Sequence, residues 1–344
     1  MCIALFTTAH PDYALILTDN RDEYLLRPTS RPTWWKHPTS GRQILSSRDL
    51  LKKEKGTWLG ITLDGTFAVL TNYRESSPEE VAAAAKAANK SRGRMVTAWL
   101  GELGHVGLHG GVESLLQDDG VKGVGGFSMG CGKLKKQGEG VAIVSNRADT
   151  VRDVPVLGVK GASQTWGLSN AYYNLGDEWP KVELGKRLLD ETIEKAVRED
   201  LGQEGLVAGL FKLLDTDTFP ALEEGTAFED LVQKLRYTIF VPPLGDDERR
   251  KVMKEANARG RVGWGSPEGE NGEAGQPRTN GQVKSEGQVF EEGIYGTQRQ
   301  TVVLVDNSGG VTFVERALWD ANGNAIARGA GDVRFDFQLE GWNS

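Results

Sequence analysis

The chain carries pairs of apolar segments joined by short polar turns, and this arrangement limits the folds that are open to it. The segments CIALFTTA (residues 2–9) and YALILTDN (residues 13–20) are separated only by the turn sequence HPD. A second pair flanks Asp64-Gly65, a third consists of GGFSMGCGKL (residues 125–134) and GVAIVSNR (residues 140–147), and a fourth flanks residues 307–310. Short turns join antiparallel strands, whereas parallel strands need long crossovers. The sequence therefore predicts β-hairpins and antiparallel sheet.

Segments with helical patterns lie between the strand pairs. Residues 78–90 begin with Pro78 and two acids and continue as an alanine-rich run, which favours a helix. Further helices are predicted for residues 91–103, 179–200, 206–216 and 227–240, the last of them ending in a strand. The Pro/Ser/Thr-rich residues 27–42 are predicted to form a loop. Strand pairs that alternate with helices favour an α+β fold with layered antiparallel sheets.

The composition changes at about residues 260–287, which are rich in Gly, Glu, Gln and Asn and poor in apolar residues. Such a segment buries too little apolar surface to offset the entropy lost on ordering, so we expect it to be disordered. Strand-like sequence resumes directly afterwards. We therefore expect one domain over residues 1–344 that is interrupted by an insertion. A neutral surface loop is favoured over a docking segment, because long surface insertions cost little stability.

The overall composition argues against several functions. The 344 residues carry a net charge of −7 and a pI of about 5.4, so no basic field is available to bind nucleic acid. No apolar run approaches the roughly 20 residues of a transmembrane helix. Two cysteines make no disulfide framework, which favours a reducing compartment such as the cytosol. The histidines show no zinc-ligand spacing and no phosphate-binding glycine motif occurs, so no metal is expected and no nucleotide cofactor is required.

Cys2 directly follows the initiator methionine. If Met1 is removed, Cys2 carries both a thiol and a free α-amino group, whose ordinary pKa values are about 8.5 and about 7.7–8.0. The amine can then accept the thiol proton near neutral pH, so that one residue supplies both nucleophile and base. The alternative is that Cys2 only begins a buried strand as a small apolar residue, which is the commoner role of a free cysteine.

The charged segment NRDE ends the second predicted strand. In a hairpin the start of the first strand meets the end of the second, which brings Cys2 beside this segment. Arg21 would then lower the pKa of the thiol, and either Asp22 or Glu23 would hold the amine. The alternative is a solvated charge cluster with a local ion pair.

Two asparagines also end predicted strands: Asn72 in AVLTNYR and Asn170 in TWGLSNA. A side-chain amide offers two N–H donors, which suit the oxyanion of a tetrahedral intermediate. Taken alone, each asparagine is more commonly an ordinary turn residue. Arg299 in YGTQRQT is a further cation that could contact a substrate.

Short motifs along nearly the whole chain resemble those of one protein family. They are MCI, NRDE followed by RP, GTWLGI, LTNYR, SNR, GLSN followed by WPKV, and YGT leading into TVVLVD. With these motifs in this order, the chain resembles the NRDE family, which is also called transport and Golgi organization protein 2. The Gly-rich stretch and residues 195–235 fall outside the resemblance.

The resemblance implies an N-terminal-nucleophile (Ntn) hydrolase fold, an αββα sandwich of two antiparallel sheets between helical layers. N-terminal-cysteine amidases such as bile-salt hydrolase and penicillin V acylase are similar in motif order, and Cys2 matches their nucleophile. The other matches are an arginine and a carboxylate after the second strand and two later asparagines: Arg21, Asp22 or Glu23, Asn72 and Asn170. Arg299 matches a second arginine only if the strand register shifts, because Gln298 stands where the family usually has arginine.

The resemblance leaves two main hypotheses for the function. In the first, Cys2 cleaves or transfers acyl groups of amides or thioesters, in Golgi organisation, secretion and lipid homeostasis. In the second, the protein binds haem or acyl-coenzyme A as a cargo and takes part in its intracellular trafficking, without catalysis. Both imply a small acyl or haem ligand and a cytoplasmic protein that associates with the Golgi or mitochondria. The sequence leaves open the substrate, the oligomeric state and the removal of Met1.

Overall fold

The computed structural model describes residues 2–73, 91–117, 121, 124–136, 138–158, 164–173, 178–221, 228–262 and 293–343. In chain order, the strands of these residues are β1 (Ile3–Thr7), β2 (Tyr13–Tyr24), β3 (Thr33–Lys36), β4 (Gln43–Ser46), β5 (Leu59–Thr62), β6 (Thr66–Asn72), β7 (Phe127–Lys133), β8 (Val141–Ser145), β9 (Val156–Leu157), β10 (Thr165–Leu168), β11 (Tyr295–Asp306), β12 (Gly310–Ala317) and β13 (Asp332–Gln338). The helices are α1 (Gly93–Ala98), α2 (Leu108–Leu116), α3 (Pro180–Arg198), α4 (Gln203–Leu214), α5 (Phe228–Lys234) and α6 (Asp247–Asn257). A π-helical turn, Trp99–Leu103, extends α1, and short 3₁₀ turns lie at Gly104–Val106, Val151–Asp153 and Leu235–Tyr237.

The strands form two antiparallel sheets. The first has six strands in the order β10-β1-β2-β11-β12-β13, and the second has seven strands, β3 to β9, in chain order. The four predicted hairpins, β1–β2, β5–β6, β7–β8 and β11–β12, are confirmed. In the β5–β6 turn Gly65 has a φ of 81°, a conformation that glycine adopts without the steric cost of a Cβ atom.

Strand β2 is buried on both faces, which explains why its sequence YALILT is apolar without alternation. Leu15 and Leu17 face the second sheet, where they join a core with Phe67 and Val69. Ile16, which lies between them in sequence, points to the opposite side and packs with residues of α3 and α4. Alternate residues of one strand thus fill two separate cores.

A helical layer covers the outer face of each sheet. Helices α3 and α4 pack on the six-stranded sheet through an apolar cluster that includes Val182, Leu189 and Leu210. Helices α1 and α2 pack on the seven-stranded sheet through Val96 and Val112. The layer order is therefore helix, sheet, sheet, helix. This confirms the predicted α+β fold of two antiparallel sheets between helical layers.

The prediction of a loop is wrong for residues 33–36, which form the edge strand β3. Two tryptophans account for the difference. Trp34 packs against Phe337 with ring centroids 5.0 Å apart, and Trp35 Nε1 donates a hydrogen bond of 2.9 Å to Ser46 Oγ of β4. These tertiary contacts give an extended conformation to a segment whose Pro/Ser/Thr-rich surroundings favour turns.

Several further predictions concern the rest of the chain. The strand predicted after the last helical segment does not form, because residues 238–240 bend where the Thr238 hydroxyl donates to the Phe240 carbonyl at 2.7 Å. The helix predicted for residues 78–90 and nearly all of the insertion predicted at 260–287 lie outside the described residues. The organisation as one domain stays a prediction. Within the described ranges, no helix is long and apolar enough to cross a membrane.

Helix α3 approaches the six-stranded sheet closely at Gly167. A Cβ atom there would lie 2.6 Å from Val182 Cγ1 and 2.9 Å from Leu5 Cδ2. We expect Gly167→Ala to lower the free energy of unfolding by about 1–3 kcal/mol, because the helix must move away from the sheet. Chemical denaturation measures this change.

The control for Gly167→Ala is Gly110→Ala in α2. A Cβ atom on Gly110 has 3.7 Å to its nearest neighbour, a methyl group of Val106, so alanine fits and should stabilise the helix by roughly 0.5–1 kcal/mol. Equal effects of the two substitutions would show that the close approach of α3 to the sheet is not a tight constraint.

Candidate active site

The NRDE segment forms the end of β2, in the middle of the six-stranded sheet. Leu15 and Leu17 face the core between the sheets. Residues two apart in a strand share a face, so Asp19 and Arg21 continue this inner face. All four side chains are buried. The apolar core between the sheets therefore ends in a buried acid followed by a buried base.

Neighbouring strands extend this pattern across the sheet. Arg21 pairs with Arg299 of β11, while Asp19 pairs with Thr301, which in turn pairs with Glu315 of β12. The inner face thus carries an acidic row next to the apolar core and a basic row beyond it. Because the two rows have opposite charges, each offsets part of the cost of burying the other.

Cys2 lies directly before β1, and the β1–β2 register places it beside the end of β2. Its Sγ is 4.0 Å from the backbone oxygen of Asp22, and the residue is 7% exposed. Burial raises the pKa of the Cys2 thiol to about 11, and the carboxylates of Asp19 and Asp22 act in the same direction. This direction is opposite to the lowering that we expected from Arg21. The role of Cys2 as a nucleophile stays a prediction.

Arg21 is held from three sides. Its guanidinium carbon lies 4.3 Å from the centroid of the Trp58 ring, and its Nη1 donates to Gln298 Oε1. Its Nη2 lies 3.8 Å from Glu23 Oε2. Trp58 directly precedes β5 of the second sheet, so the stacked guanidinium joins the two sheets. Arg21 is therefore a fixed cation in the space between the sheets.

A β-bulge in β11 lies opposite Arg21. The pairing of β11 with β2 shifts between Thr297 and Arg299, which makes Gln298 the extra residue. Gln298 accepts the hydrogen bond from Arg21, and its Nε2 donates to the carbonyl of Arg27 at 2.9 Å. The side chains of two consecutive residues, Gln298 and Arg299, thereby reach the inner face. The register shift on which the family match of Arg299 depends is present, although the match itself stays a prediction.

The side chain of Arg299 has buried protein partners. Its Nη2 donates to Thr29 Oγ1 at 3.0 Å, and its Nε lies 4.0 Å from Glu315 Oε1. Burial lowers the pKa of Arg299 to about 10, while Glu315 opposes that shift. The Ser47 hydroxyl contacts both oxygens of Glu315, at 2.6 and 2.7 Å. Arg299 and Glu315 therefore form a buried ion pair at the edge of the basic row.

Of the two candidate carboxylates, Asp22 is the deeply buried one. It is 4% exposed and points to the helix side of β2. Its Oδ1 accepts a hydrogen bond of 2.7 Å from Thr297 Oγ1, and its Oδ2 lies 3.9 Å from Lys181 Nζ of α3. Burial raises the pKa of Asp22, and both Lys181 and the hydrogen bond from Thr297 oppose this shift.

Glu23, the other candidate, lies in a partly exposed ion-pair network. Its Oε2 is 3.8 Å from Arg21 Nη2 and 3.7 Å from Arg27 Nη1, and its side chain is 20% exposed. Arg27 also pairs with Asp49 at 2.6 Å. Glu23 thus neutralises arginines. The geometry favours Asp22 as the carboxylate next to Cys2.

The two candidate asparagines meet where the sheets come together. Asn170 Nδ2 donates to the backbone carbonyl of Asn72. Ser169 Oγ donates to the Cys2 carbonyl at 2.9 Å, and Thr71 Oγ1 donates to the Ser169 carbonyl at 2.8 Å. These bonds bring Cys2 and both asparagines into one neighbourhood. The use of the two amides as oxyanion donors stays a prediction.

Sequence reasoning missed three buried charged residues at this site, which are Asp19, Lys181 and Glu315. Asp19 is fully buried, and burial raises its pKa well above the usual range. Among the described residues, neither of its carboxylate oxygens has a hydrogen-bond partner. A signal was available for Asp19, because an acid near the middle of a strand that is covered on both faces has to be buried.

Residues 1–320 match the protein family described as Transport and Golgi organisation 2. The chain belongs to this family. The resemblance that the short motifs indicate is therefore confirmed, and Golgi organisation is part of the family's name.

Proteins similar to this chain occur in a fungus and in animals. An uncharacterised protein of Saccharomyces cerevisiae is 27% identical in an alignment of length 368 that covers 98% of this chain and 100% of that protein. The Transport and Golgi organization protein 2 homolog of Bos taurus is 29% identical in an alignment of length 329 that covers 92% of this chain and 93% of the homolog.

Among solved structures, the Caenorhabditis elegans ortholog of N-acylethanolamine-hydrolyzing acid amidase aligns with 60% of this chain and 85% of its own chain. The identity is 13% and the TM-score is 0.42. An identity and a TM-score this low do not define the chemistry of the present site, which is inferred from this chain's own residues.

The buried ion pair of Arg299 and Glu315 should contribute to the free energy of unfolding in a pH-dependent way. We expect Arg299→Met to lower the free energy of unfolding by roughly 3–5 kcal/mol at pH 8, because a buried carboxylate loses its cation. Burial raises the folded-state pKa of Glu315 above its unfolded value, so its ionisation lowers stability as the pH rises. The loss should therefore be smaller at pH 5 than at pH 8, as urea denaturation measures.

Arg187→Met is the control for this experiment, since Arg187 forms an exposed pair with Glu191 one helical turn away and should contribute little. A loss in Arg299→Met that is the same at both pH values would mean that packing, rather than charge, explains the effect.

Proposed function

We propose that this protein cleaves or transfers acyl groups of amides or thioesters, with the thiol of Cys2 as the nucleophile. The position of Cys2 is the observation that carries this proposal. The residue lies between the end of β2 on one side and the Ser169-Asn170 segment on the other. A thiol, a fixed cation, a buried carboxylate and amide donors are thereby contributed by separate segments of the chain, a combination typical of acyl-transfer sites.

The proposed chemistry begins with removal of Met1, which gives Cys2 a free α-amine. The amine accepts the thiol proton, and the sulfur forms a bond to the substrate carbonyl carbon. The carbonyl oxygen becomes an oxyanion that the amides of Asn72 and Asn170 stabilise. Collapse of this intermediate breaks the bond to the leaving amine or thiol, which takes up the proton. Water or another acceptor then releases the acyl group from sulfur.

Two neighbours support this sequence of steps electrostatically. Arg21, fixed by Trp58 and Gln298, would stabilise the thiolate. Asp22 would hold the ammonium form of the amine after it accepts the proton. The site is closed in the structure, because the thiol is buried and Asn170 donates to a backbone carbonyl. Substrate binding would have to replace that hydrogen bond with one to the oxyanion.

We expect Cys2 to react with iodoacetamide much faster than Cys131, and Cys2→Ala to abolish hydrolysis of a thioester substrate without unfolding the protein. Cys131 is the internal control, since it is fully buried in the second sheet and burial raises its pKa. Intact mass and peptide mapping after a short pulse at neutral pH give the removal of Met1 and the labelled positions. Retention of Met1, or full turnover by Cys2→Ala, would refute the proposal.

A second candidate function is non-catalytic binding of haem or acyl-coenzyme A in intracellular trafficking. It is favoured by the burial of the Cys2 thiol, which raises its pKa and makes it a poor nucleophile. The arginines of the site would pair with propionates or phosphates of the ligand. In either function we propose a cytoplasmic protein that associates with Golgi or mitochondrial membranes, with a role in Golgi organisation and lipid homeostasis.

For the carrier function we expect Arg21→Met to weaken binding of haem or of palmitoyl-coenzyme A by at least about tenfold, because a buried charge-assisted contact is lost. Cys2→Ala should bind as tightly as the wild type. Fluorescence quenching titrations measure both, with Arg187→Met as the surface control. Equal affinity in Arg21→Met and wild type would exclude a ligand site at the NRDE segment.

A further inference from the structure

Lys181 is a buried cation that the chemistry above does not use. It lies in the first turn of α3, and its side chain is 0% exposed. Its Nζ lies 3.9 Å from Asp22 Oδ2 and 5.8 Å from the centroid of the Trp179 ring. Among the described residues, Nζ has no hydrogen-bond partner. The ammonium is therefore buried between helix and sheet, next to the carboxylate of Asp22.

A charged lysine at position 181 is unfavourable for the stability of the fold in two ways. Removing an ammonium from water costs free energy, and burial accordingly lowers the pKa of Lys181. The first turn of a helix carries the positive end of the helix dipole, which repels a cation. An apolar residue would pack there at lower cost, as Val182 does at the next position. Packing of α3 alone therefore does not explain a lysine at this position.

We propose that Lys181 is a positioning residue that keeps Asp22 ionised and oriented for the N-terminal residue. Thr297 binds one oxygen of Asp22 and Lys181 faces the other, so the carboxylate is fixed at both oxygens. The backbone oxygen of the same aspartate is 4.0 Å from the Cys2 sulfur. This inference rests on the proposed acyl-transfer function, to which it adds one residue on the helix side of the sheet.

Several charged and titratable groups surround Asp22. Lys181 faces it from α3, Cys2 lies beside it directly before β1, and Arg21 and Asp19 act from its own strand. Burial favours the neutral acid, and the two carboxylates of Asp22 and Asp19 repel each other. The chain's terminal amine, Lys181 and Arg21 favour the carboxylate. Removing Lys181 should therefore leave more of Asp22 protonated at neutral pH, which would weaken its hold on an amine.

A thermodynamic cycle tests the pairing of these two residues. Lys181→Met should lower the free energy of unfolding more at pH 8 than at pH 5. The reason is that the folded-state pKa of Asp22 is raised, so its ionisation lowers stability as the pH rises. Asp22→Asn should also destabilise, because it leaves a buried lysine unpaired. The double variant Lys181→Met/Asp22→Asn should be more stable than either single variant.

The cycle stays informative if a single variant fails to fold, because the double variant is then expected to fold. Additive losses, or a double variant that is no more stable than the singles, would overturn the proposal. Lys186→Met is the matched control on the same helix, where Lys186 pairs with Glu178 at 2.8 Å and is 31% exposed. It should change stability little and without dependence on pH.

The functional readout is the pH dependence of the labelling of Cys2 by iodoacetamide. The labelling rate should fall at low pH, where Asp22 becomes protonated. In Lys181→Met this fall, the acid limb of the profile, should occur at a pH higher by about one unit or more, since an adjacent cation shifts a carboxylate pKa by that amount. The limb should stay in place in Lys186→Met. An unshifted limb with fast labelling and normal turnover would overturn the role of Lys181 and leave the proposed function intact. Full turnover by Cys2→Ala would refute the proposed function, while the cycle would still decide the pairing.

Discussion

The pairing of β2 with β1 and β11 is the constraint on which the rest of the site depends. β2 lies in the middle of the six-stranded sheet, so both of its edges are hydrogen-bonded and its register is fixed on each side. This register brings Cys2, Arg21 and Arg299 to one end of the sheet. Side chains alternate between faces, so a slip of one residue in either pairing would move a member of this group to the helix side.

The same register also places charged side chains in the interior, where their removal from water costs free energy. The acidic row of Asp19 and Glu315 lies against the apolar core, and the arginines lie directly beyond it. Their attraction offsets only part of the desolvation cost, and apolar residues at such positions are often more stable. Polar groups that weaken a core are expected where binding or chemistry needs them. The proposed acyl transfer gives Arg21 such a function, and the proposed role of Lys181 gives one to the buried charges on the helix side of β2.

Sequence reasoning succeeded where a pattern is local and failed where a distant segment decides. The hairpin around Asp64-Gly65 depends on residues that are adjacent in the chain, and it forms as expected. Residues 33–36 form a strand instead of the predicted loop. The contact that favours the strand joins Trp34 to Phe337, about three hundred positions away, so no local pattern indicates it. Lys181 resembled an ordinary lysine of an amphipathic helix, since nothing in WPKV indicates a carboxylate beneath it.

The sequence by itself determined the antiparallel hairpins and the helices α3 and α4, because periodicity and turn residues act over short distances. Its short motifs indicated the family, and the αββα layers are what the resemblance to that family implied. It also brought Cys2 near NRDE through one short hairpin. Only the tertiary structure showed that Asp22 is buried against Lys181 while Glu23 is partly exposed, and only it placed Arg299 on the inner face. The physical reason is that these outcomes depend on a bulge and on helix-to-sheet packing. Both arise between segments far apart in the chain, where a shift of one residue reverses the face of a side chain.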